Sequence, residues 1–521
     1  MGLPLIEFGN DVIDFKRHFN EVEITREINK SEFEASSGEI QVDYLYSRNK
    51  IRLAKDRLEP GLVQSTNKLI EYLSAGEGRT CNLWLDRNIK AYFDFEAKSL
   101  KSNDGIECTF ANRGTSATYI DPVTGLLTTV APDEMRFPEG RYGRGLLVEN
   151  NHTNKLLYSA QFDNSVWTKT NITISANTTE TYDPAGQNYA NKISLTNTES
   201  NGTIVQNISE SIGTNSANFS IFVKSIVINT TIKLRIKDSI NTILAEKTYY
   251  LTPQWKRYDV DFRNYGNNTN NWRVEIVLVS DQYYYPIYIW GAQLDIGVDY
   301  MRSYIGTYNV PITQGAEKIS YIPDASHKMD MQAGTIAFWV KFPWLSTAMR
   351  NLLICKMVNN QLEIYQLNGS LYVEFPPYMG SVLYLATGIS ESWQNEWIHI
   401  ATTWSFPSEN YQYGTWKLYI NGNKVNETGL SGTPLPLTEI LIGCDATKTY
   451  NSDAILDDII ILSEILSEER IKQIALSPNA LGIGKNYFTN LILDSDEYSP
   501  KQIYGGDKYD WELELKEDTG W

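Results

Sequence analysis

The sequence predicts a mainly β protein: a small N-terminal α+β unit followed by two antiparallel β-sandwich domains. Three observations carry that expectation. Apolar and β-branched runs recur and are broken by Asn, Gly and Thr clusters about every 8 to 15 residues, the spacing of short strands and turns. Helix-like spacing is confined to a few short runs. A chain of 521 residues is also too long for one hydrophobic core, so several domains are expected.

Residues 1–97 open with strand-like alternation, as in Glu39-Ile40-Gln41-Val42-Asp43-Tyr44-Leu45-Tyr46. After Pro60, Val63, Leu69, Ile70 and Leu73 fall at helical spacing until Gly76 and Gly78 stop the run. Asn82 to Arg87 turns the chain back into a strand at Ala91 to Phe95, completing an α+β unit. Residues 98–155 read as a connector. It runs from Phe110-Ala111-Asn112-Arg113-Gly114 through the Thr124-Gly125 turn and Arg136-Phe137 to Gly145-Leu146-Leu147-Val148-Glu149.

Residues 156–307 are the first sandwich, with strands expected at Asn218 to Val223, Ile232 to Ile236, Trp255 to Val260 and Trp272 to Leu278. Residues 308–478 are the second, with strands at Thr335 to Val340, Trp397 to Trp404 and Trp416 to Val425. Within the last of these, Asn421-Gly422 predicts a two-residue hairpin turn, because both positions favour positive φ. Asp457 to Leu462 reads as a strand, and Leu466-Ser467-Glu468-Glu469 as the start of a capped helical turn. Residues 479–521 form an acidic tail with nine Asp or Glu against four Lys. Its stretch Asp510 to Leu515 suits an amphipathic strand that docks on a neighbour's sheet edge.

Composition excludes several classes of function. A net charge of −17 opposes wholesale binding of a phosphate backbone, so no nucleic-acid partner is expected. The N-terminus has no basic, apolar leader and no 18-residue apolar run occurs, which predicts no membrane insertion. Cys81, Cys108, Cys355 and Cys444 are scattered without metal or disulfide spacing and are expected as buried free thiols.

Several ordered strings resemble known families. Tyr288-Ile289-Trp290-Gly291-Ala292-Gln293-Leu294-Asp295-Ile296-Gly297 followed by Arg302-Ser303-Tyr304-Ile305-Gly306-Thr307 resembles the closing strand and exit turn of a carbohydrate-binding-like jelly-roll module of bacteriophage virion proteins. Leu156 to Asp163, Trp167 and Trp255 to Val260 fit the same module. The connector resembles the segment that precedes it, departing at Asn112 and Gly114 around Arg113 and at Asn150-Asn151-His152. The order of elements in residues 1–97 is similar, in a general way, to attachment domains that begin some phage tail proteins. The ordered strands of the second sandwich resemble the laminin-G or concanavalin A-like lectin fold.

These resemblances imply a virion structural protein of a bacteriophage tail or external appendage, made in the host cytoplasm and carried in the particle. The implied partners are other virion proteins, host surface polysaccharide and further copies in a homo-oligomer. A purely architectural tail, collar or head-fibre protein is the alternative, and a polysaccharide depolymerase or a cell-surface adhesin are further ones.

No enzyme, cofactor or metal site is expected. His18, His152, His327 and His399 lie in no catalytic motif, and His399 sits within an apolar strand, where packing is its expected role. Asp457 and Asp458 are adjacent carboxylates, which on a regular strand point to opposite faces and cannot flank one glycosidic bond. Sugar binding calls for exposed aromatic rings with polar neighbours, which singles out Trp272, Tyr283, Tyr285, Tyr411 and Tyr413. Trp255, Trp290, Trp339 and Trp404 lie within apolar strands and are expected in cores. The cations of Arg48-Asn49-Lys50-Ile51-Arg52-Leu53-Ala54-Lys55-Asp56-Arg57 suit an acidic surface or a solvated face.

Overall fold

A computed structural model describes strands 5–8, 11–14, 21–34, 40–58, 81–84 and 89–93, then most of residues 106–476 apart from short stretches such as 281–285, 324–328, 376–382 and 407–413, and strands 487–493, 501–502 and 509–517. Strand makes up 54% of the chain and helix 4%, in several antiparallel sheets, so the expected mainly β class holds. The helical run expected at Val63 to Leu73 lies, apart from Leu69, outside the described residues.

The first sandwich packs two five-stranded sheets. One has the order Thr168–Thr170, Gly202–Gly213, Asn268–Leu278, Thr231–Asp238 and Ile243–Tyr250; the other Ile172–Ser175, Asn191–Leu195, Ile287–Ile296, Ala217–Ser225 and Lys256–Phe262. Strict alternation along Thr231–Asp238 puts Ile232, Leu234 and Ile236 inward, where they meet Phe219, Trp272 and Leu294 in one core. Trp272 is fully buried there, 0% exposed, edge-on to Phe262. The reading of Trp272 as a surface platform is corrected: its ring fills the space between the sheets.

The second sandwich draws on more of the chain than residues 308–478. Ala454–Leu462 lies beside Ala333–Lys341 and continues through Trp397–Ser405, Gly414–Ile420 and Asn423–Leu430. On the other side of Ala454–Leu462 lie two strands from far upstream, Leu146–Val148 and Ile89–Phe93. In the facing sheet, Lys318–Tyr321 pairs with Thr109–Ala111. Segments expected in the α+β unit and the connector thus complete the second sandwich, and the first is inserted in the chain between those segments and the rest of the second. The core is anchored by Phe375, edge-on to Trp404 and Trp416; these indoles donate to Met331 O at 2.9 Å and Thr402 Oγ1 at 2.9 Å. Trp339 packs on His399, whose burial pulls its pKa to about 3, so His399 stays neutral and serves packing.

Asn421 and Gly422 take φ of +48° and +78°, as their hairpin requires. A Cβ on Gly422 would stand 2.9 Å from Lys472 Cα of the helix Glu468–Leu476, whose Arg470 N–H is capped by Ser467 Oγ at 3.3 Å. Gly422→Val is therefore expected to strain both turn and helix and to lower stability by about 1–3 kcal/mol, read as a fall in denaturation midpoint. An unchanged midpoint would refute the contact.

The Asp457–Asp458 pair breaks the alternation expected of it. Asp458 has φ of +46° at a register shift of its strand, with Leu146–Val148 paired before the bulge and Ile89–Phe93 after it. Asp457 Oδ2 accepts the Arg141 N–H at 2.6 Å, and Asp458 Oδ1 accepts the Tyr92 hydroxyl at 2.8 Å. Each carboxylate therefore fastens one of the two added segments.

The terminal strands share a third sheet, in which Tyr509–Glu517 pairs with Ile40–Leu58 and Tyr487–Leu493. The strand expected to dock on a neighbour pairs within its own chain instead. The same register sets Arg52 opposite Glu23 on one side and Glu514 on the other, and Arg48 opposite Glu27. The basic run is thus flanked by acidic strands of the same chain.

Candidate binding cleft

A glycine bulge builds the wall of the cleft. The register between Ala217–Ser225 and Ile287–Ile296 shifts between Ser220 and Phe222, where Gly291 takes φ of +62°. A Cβ there would stand 3.1 Å from the Tyr304 ring, so glycine lets Tyr304 close on Trp290, with ring centroids 4.8 Å apart. Gln293 then fixes the exit turn, accepting the Ile305 N–H at 2.7 Å and donating to Ser303 O at 2.9 Å. Asn154 donates to Ala292 O at 3.0 Å and Ile305 O at 2.8 Å. Each position of the Trp290-Gly291-Ala292-Gln293 string has its own structural duty.

A hairpin from the connector, Ala117–Ile120 with Leu127–Val130, closes over this wall. Thr118 Oγ1 donates to Tyr304 O at 2.6 Å, and the Leu127 N–H donates to Pro184 O at 2.8 Å. Between hairpin and sandwich lies a cleft of about 670 Å³. Threonine, serine, glutamine and asparagine line it, among them Thr129, Gln161, Asn177 and Gln187, with the rings of Tyr189, Trp290 and Tyr308. Tyr308 is 67% exposed and Tyr189 56% exposed. Asp183 shapes the loop carrying Tyr189 by accepting the N–H groups of Ala185 at 2.8 Å and Gln187 at 3.0 Å. The indole N–H of Trp290 is shielded from solvent and has no hydrogen-bond partner.

None of the described residues lining the cleft is charged. Its chemistry is neutral hydrogen bonding beside aromatic faces, with no acid, base or nucleophile paired for bond cleavage. Among the described residues no group of three or more His, Cys, Asp or Glu is placed to hold a metal ion. No described helix is long and apolar enough to cross a membrane.

The sequence-predicted platforms do not meet here. Trp272 is in the core, and Tyr283, Tyr285, Tyr411 and Tyr413 lie outside the described residues. Of the tryptophans expected in cores, Trp290, Trp339 and Trp404 are buried, whereas Trp255 is half-buried and donates to Tyr182 O at 2.7 Å. Tyr189 and Tyr308 were missed as candidates. The available signal was an aromatic in a polar, turn-rich setting, Gly186-Gln187-Asn188-Tyr189 and Thr307-Tyr308-Asn309. Cys355 and Cys444 are buried free thiols, and Cys108 is buried.

The second sandwich falls in the class of concanavalin A-like folds: the family model for the concanavalin A-like lectin/glucanases superfamily, a laminin-G type, matches residues 315–472. The expected lectin-like fold of that sandwich is therefore supported, over about a third of the chain. Among solved structures, the receptor binding domain of botulinum neurotoxin D is similar at 20% identity and a TM-score of 0.26, over 30% of this chain and 41% of that one. The receptor binding domain of botulinum neurotoxin type G is similar at 15% identity and a TM-score of 0.25, over 31% and 40%. The serotype D ligand binding domain in complex with N-acetylneuraminic acid is similar at 21% identity and a TM-score of 0.26, over 30% and 39%. The chain thus spans about two fifths of the length of these structures. A search of curated proteins finds no match.

Proposed function

We propose that this chain is a non-catalytic glycan-binding protein whose cleft between the connector hairpin and the first sandwich takes a neutral carbohydrate. The observation that carries the reading is the lining of that cleft. A pyranose presents one apolar face and a rim of hydroxyls, which Tyr189 and Tyr308 suit by stacking and the surrounding amides and hydroxyls by hydrogen bonding. The absence of charge in the lining favours a neutral sugar over an acidic one.

The resemblance of the Trp290 segment to phage virion modules supports placing this activity in a bacteriophage particle, as a tail or appendage component that meets host surface polysaccharide and neighbouring virion subunits. Several copies in a homo-oligomer would raise a weak single-site affinity, since linked sites act at high effective concentration. The lectin-like second sandwich fits the same role.

The test is a glycan array probed with the full chain, followed by titration of the best neutral oligosaccharide. Tyr308→Ala and Tyr189→Ala are each expected to weaken binding about tenfold, equivalent to about 1.4 kcal/mol, without changing the melting temperature. Binding that survives the double substitution would move the site elsewhere, and no binding to any neutral glycan would remove the reading.

A further inference from the structure

A second cavity, of about 310 Å³, lies on the other side of Tyr304, where the hairpin and both sandwiches meet. It is at the lower end of small-molecule sites, which run from about 300 to 1,000 Å³. Its character differs from that of the glycan cleft. Tyr119, Leu127, Leu147, Phe222, Met301 and Ile455 give it a predominantly apolar lining, and its rim reaches solvent beside the exposed Ile120 and Asn395.

Arg257 is the unexplained group in this wall. Its guanidinium stands 5.4 Å from the Phe222 ring centroid and 5.8 Å from that of Tyr304. It donates only to neutral acceptors, Arg302 O at 2.6 Å and Ser220 Oγ at 3.0 Å, and its Nε–H is shielded from solvent without a partner. The carboxylates that line the cavity are already matched. Glu149 binds Arg136 at 2.6 Å, and Asp453 binds Arg302 at 2.7 Å. Asp295, a nearby buried acid, is pushed up by that burial toward its neutral form, and its Oδ2 accepts from Gln293 rather than from Arg257. Among the described lining residues the cations Arg257, Arg302 and Lys341 outnumber the acids Glu149 and Asp453, and Asp295, Glu149 and Asp259 act on Arg257 through space. A buried guanidinium whose hydrogen-bond acceptors are all neutral is costly, and an anion in the cavity would offset that cost.

We propose that this cavity binds a small organic carboxylate with an apolar body, its anionic head toward Arg257 and its apolar part against Phe222, Met301 and Ile455. A sugar is a poor occupant, because the apolar lining would leave most of its hydroxyls unpaired. The site is independent of the glycan reading, although Thr118, Leu127 and Tyr304 border both spaces. Occupancy would hold the hairpin and the two sandwiches around one ligand.

The test uses 3-phenylpropionate and its uncharged amide, titrated calorimetrically into the full chain. The acid is expected to bind at least about tenfold more tightly than the amide, and Arg257→Gln to abolish that preference. Met301→Trp, which fills the cavity and keeps the charge, is expected to remove binding of both probes. If Arg257→Gln does not fold, Arg257→Lys replaces it, with a reduced but surviving preference for the acid expected. Equal binding of acid and amide, no binding of the acid at about 10 mM, or binding unchanged by Met301→Trp would each overturn the proposal. Glycan titration on the same samples separates this outcome from failure of the cleft.

Discussion

Arg136→Met is expected to lower stability by about 3–5 kcal/mol, among the largest effects of any single substitution in this chain. Arg136 is fully buried and binds Glu149 Oε2 at 2.6 Å and both oxygens of Glu317, at 3.2 and 2.9 Å. Arg113 adds a second guanidinium on Glu317 at 2.9 Å. Glu149 also accepts the Ser303 N–H at 2.8 Å from the exit turn of the first sandwich, and Asn451 of the second donates to Glu149 O at 3.0 Å. Burial alone would raise the Glu149 pKa, but the Arg136 charge, with His152 and Ser303 in support, holds it well below the ordinary carboxylate range. Removing Arg136 leaves two carboxylates buried with too little positive charge. Urea denaturation measures the loss. Adding Glu317→Gln to the variant should recover part of it, because one stranded charge disappears; a loss under about 1 kcal/mol would show that the network is not the clamp between the sandwiches.

The second large effect is a pH dependence set by Asp457. Burial, then the neighbouring Asp458 charge, pushes its pKa up to about 8, against the backbone N–H groups that favour the anion. The folded state therefore holds a proton that the unfolded chain, with an ordinary value of about 3.9, releases. The stabilisation is fully present below the unfolded value and is lost as pH rises through the folded one, so stability should fall from about pH 4 to pH 8 and level off above. The shift sets a ceiling on the order of 5 kcal/mol for this group across that window. Asp457→Asn keeps an oxygen for the Arg141 N–H and removes the titration, so its stability should be flatter over the same window. Parallel slopes for the two proteins would sink the assignment.

How far these features can be read from the sequence depends on the distance over which each is determined. The Asn421-Gly422 turn, the Ser467-capped helix and the alternation of Ile232, Leu234 and Ile236 are local, and residue type alone predicts them. The Asp457–Asp458 geometry was misjudged because a bulge with positive φ is set by the two upstream segments that share one side of its strand. Trp272 was misplaced for a related reason. Alternation shows that it faces one side of its strand, whereas only the packing of the second sheet decides that this side is dry.

The sequence by itself determined the mainly β class of fold, the alternation of its strands and its local turns, because periodicity and turn chemistry act within a few residues. Only the tertiary structure decided that Ile89–Phe93, Thr109–Ala111 and Leu146–Val148 belong to the second sandwich and that the terminal strands share one sheet. It alone brought Tyr189 and Tyr308 to one cleft and gave Arg257 neutral hydrogen-bond partners beside another. The reason is physical: strand pairing and charge compensation join residues hundreds of positions apart, and no local pattern encodes which edge a strand will find.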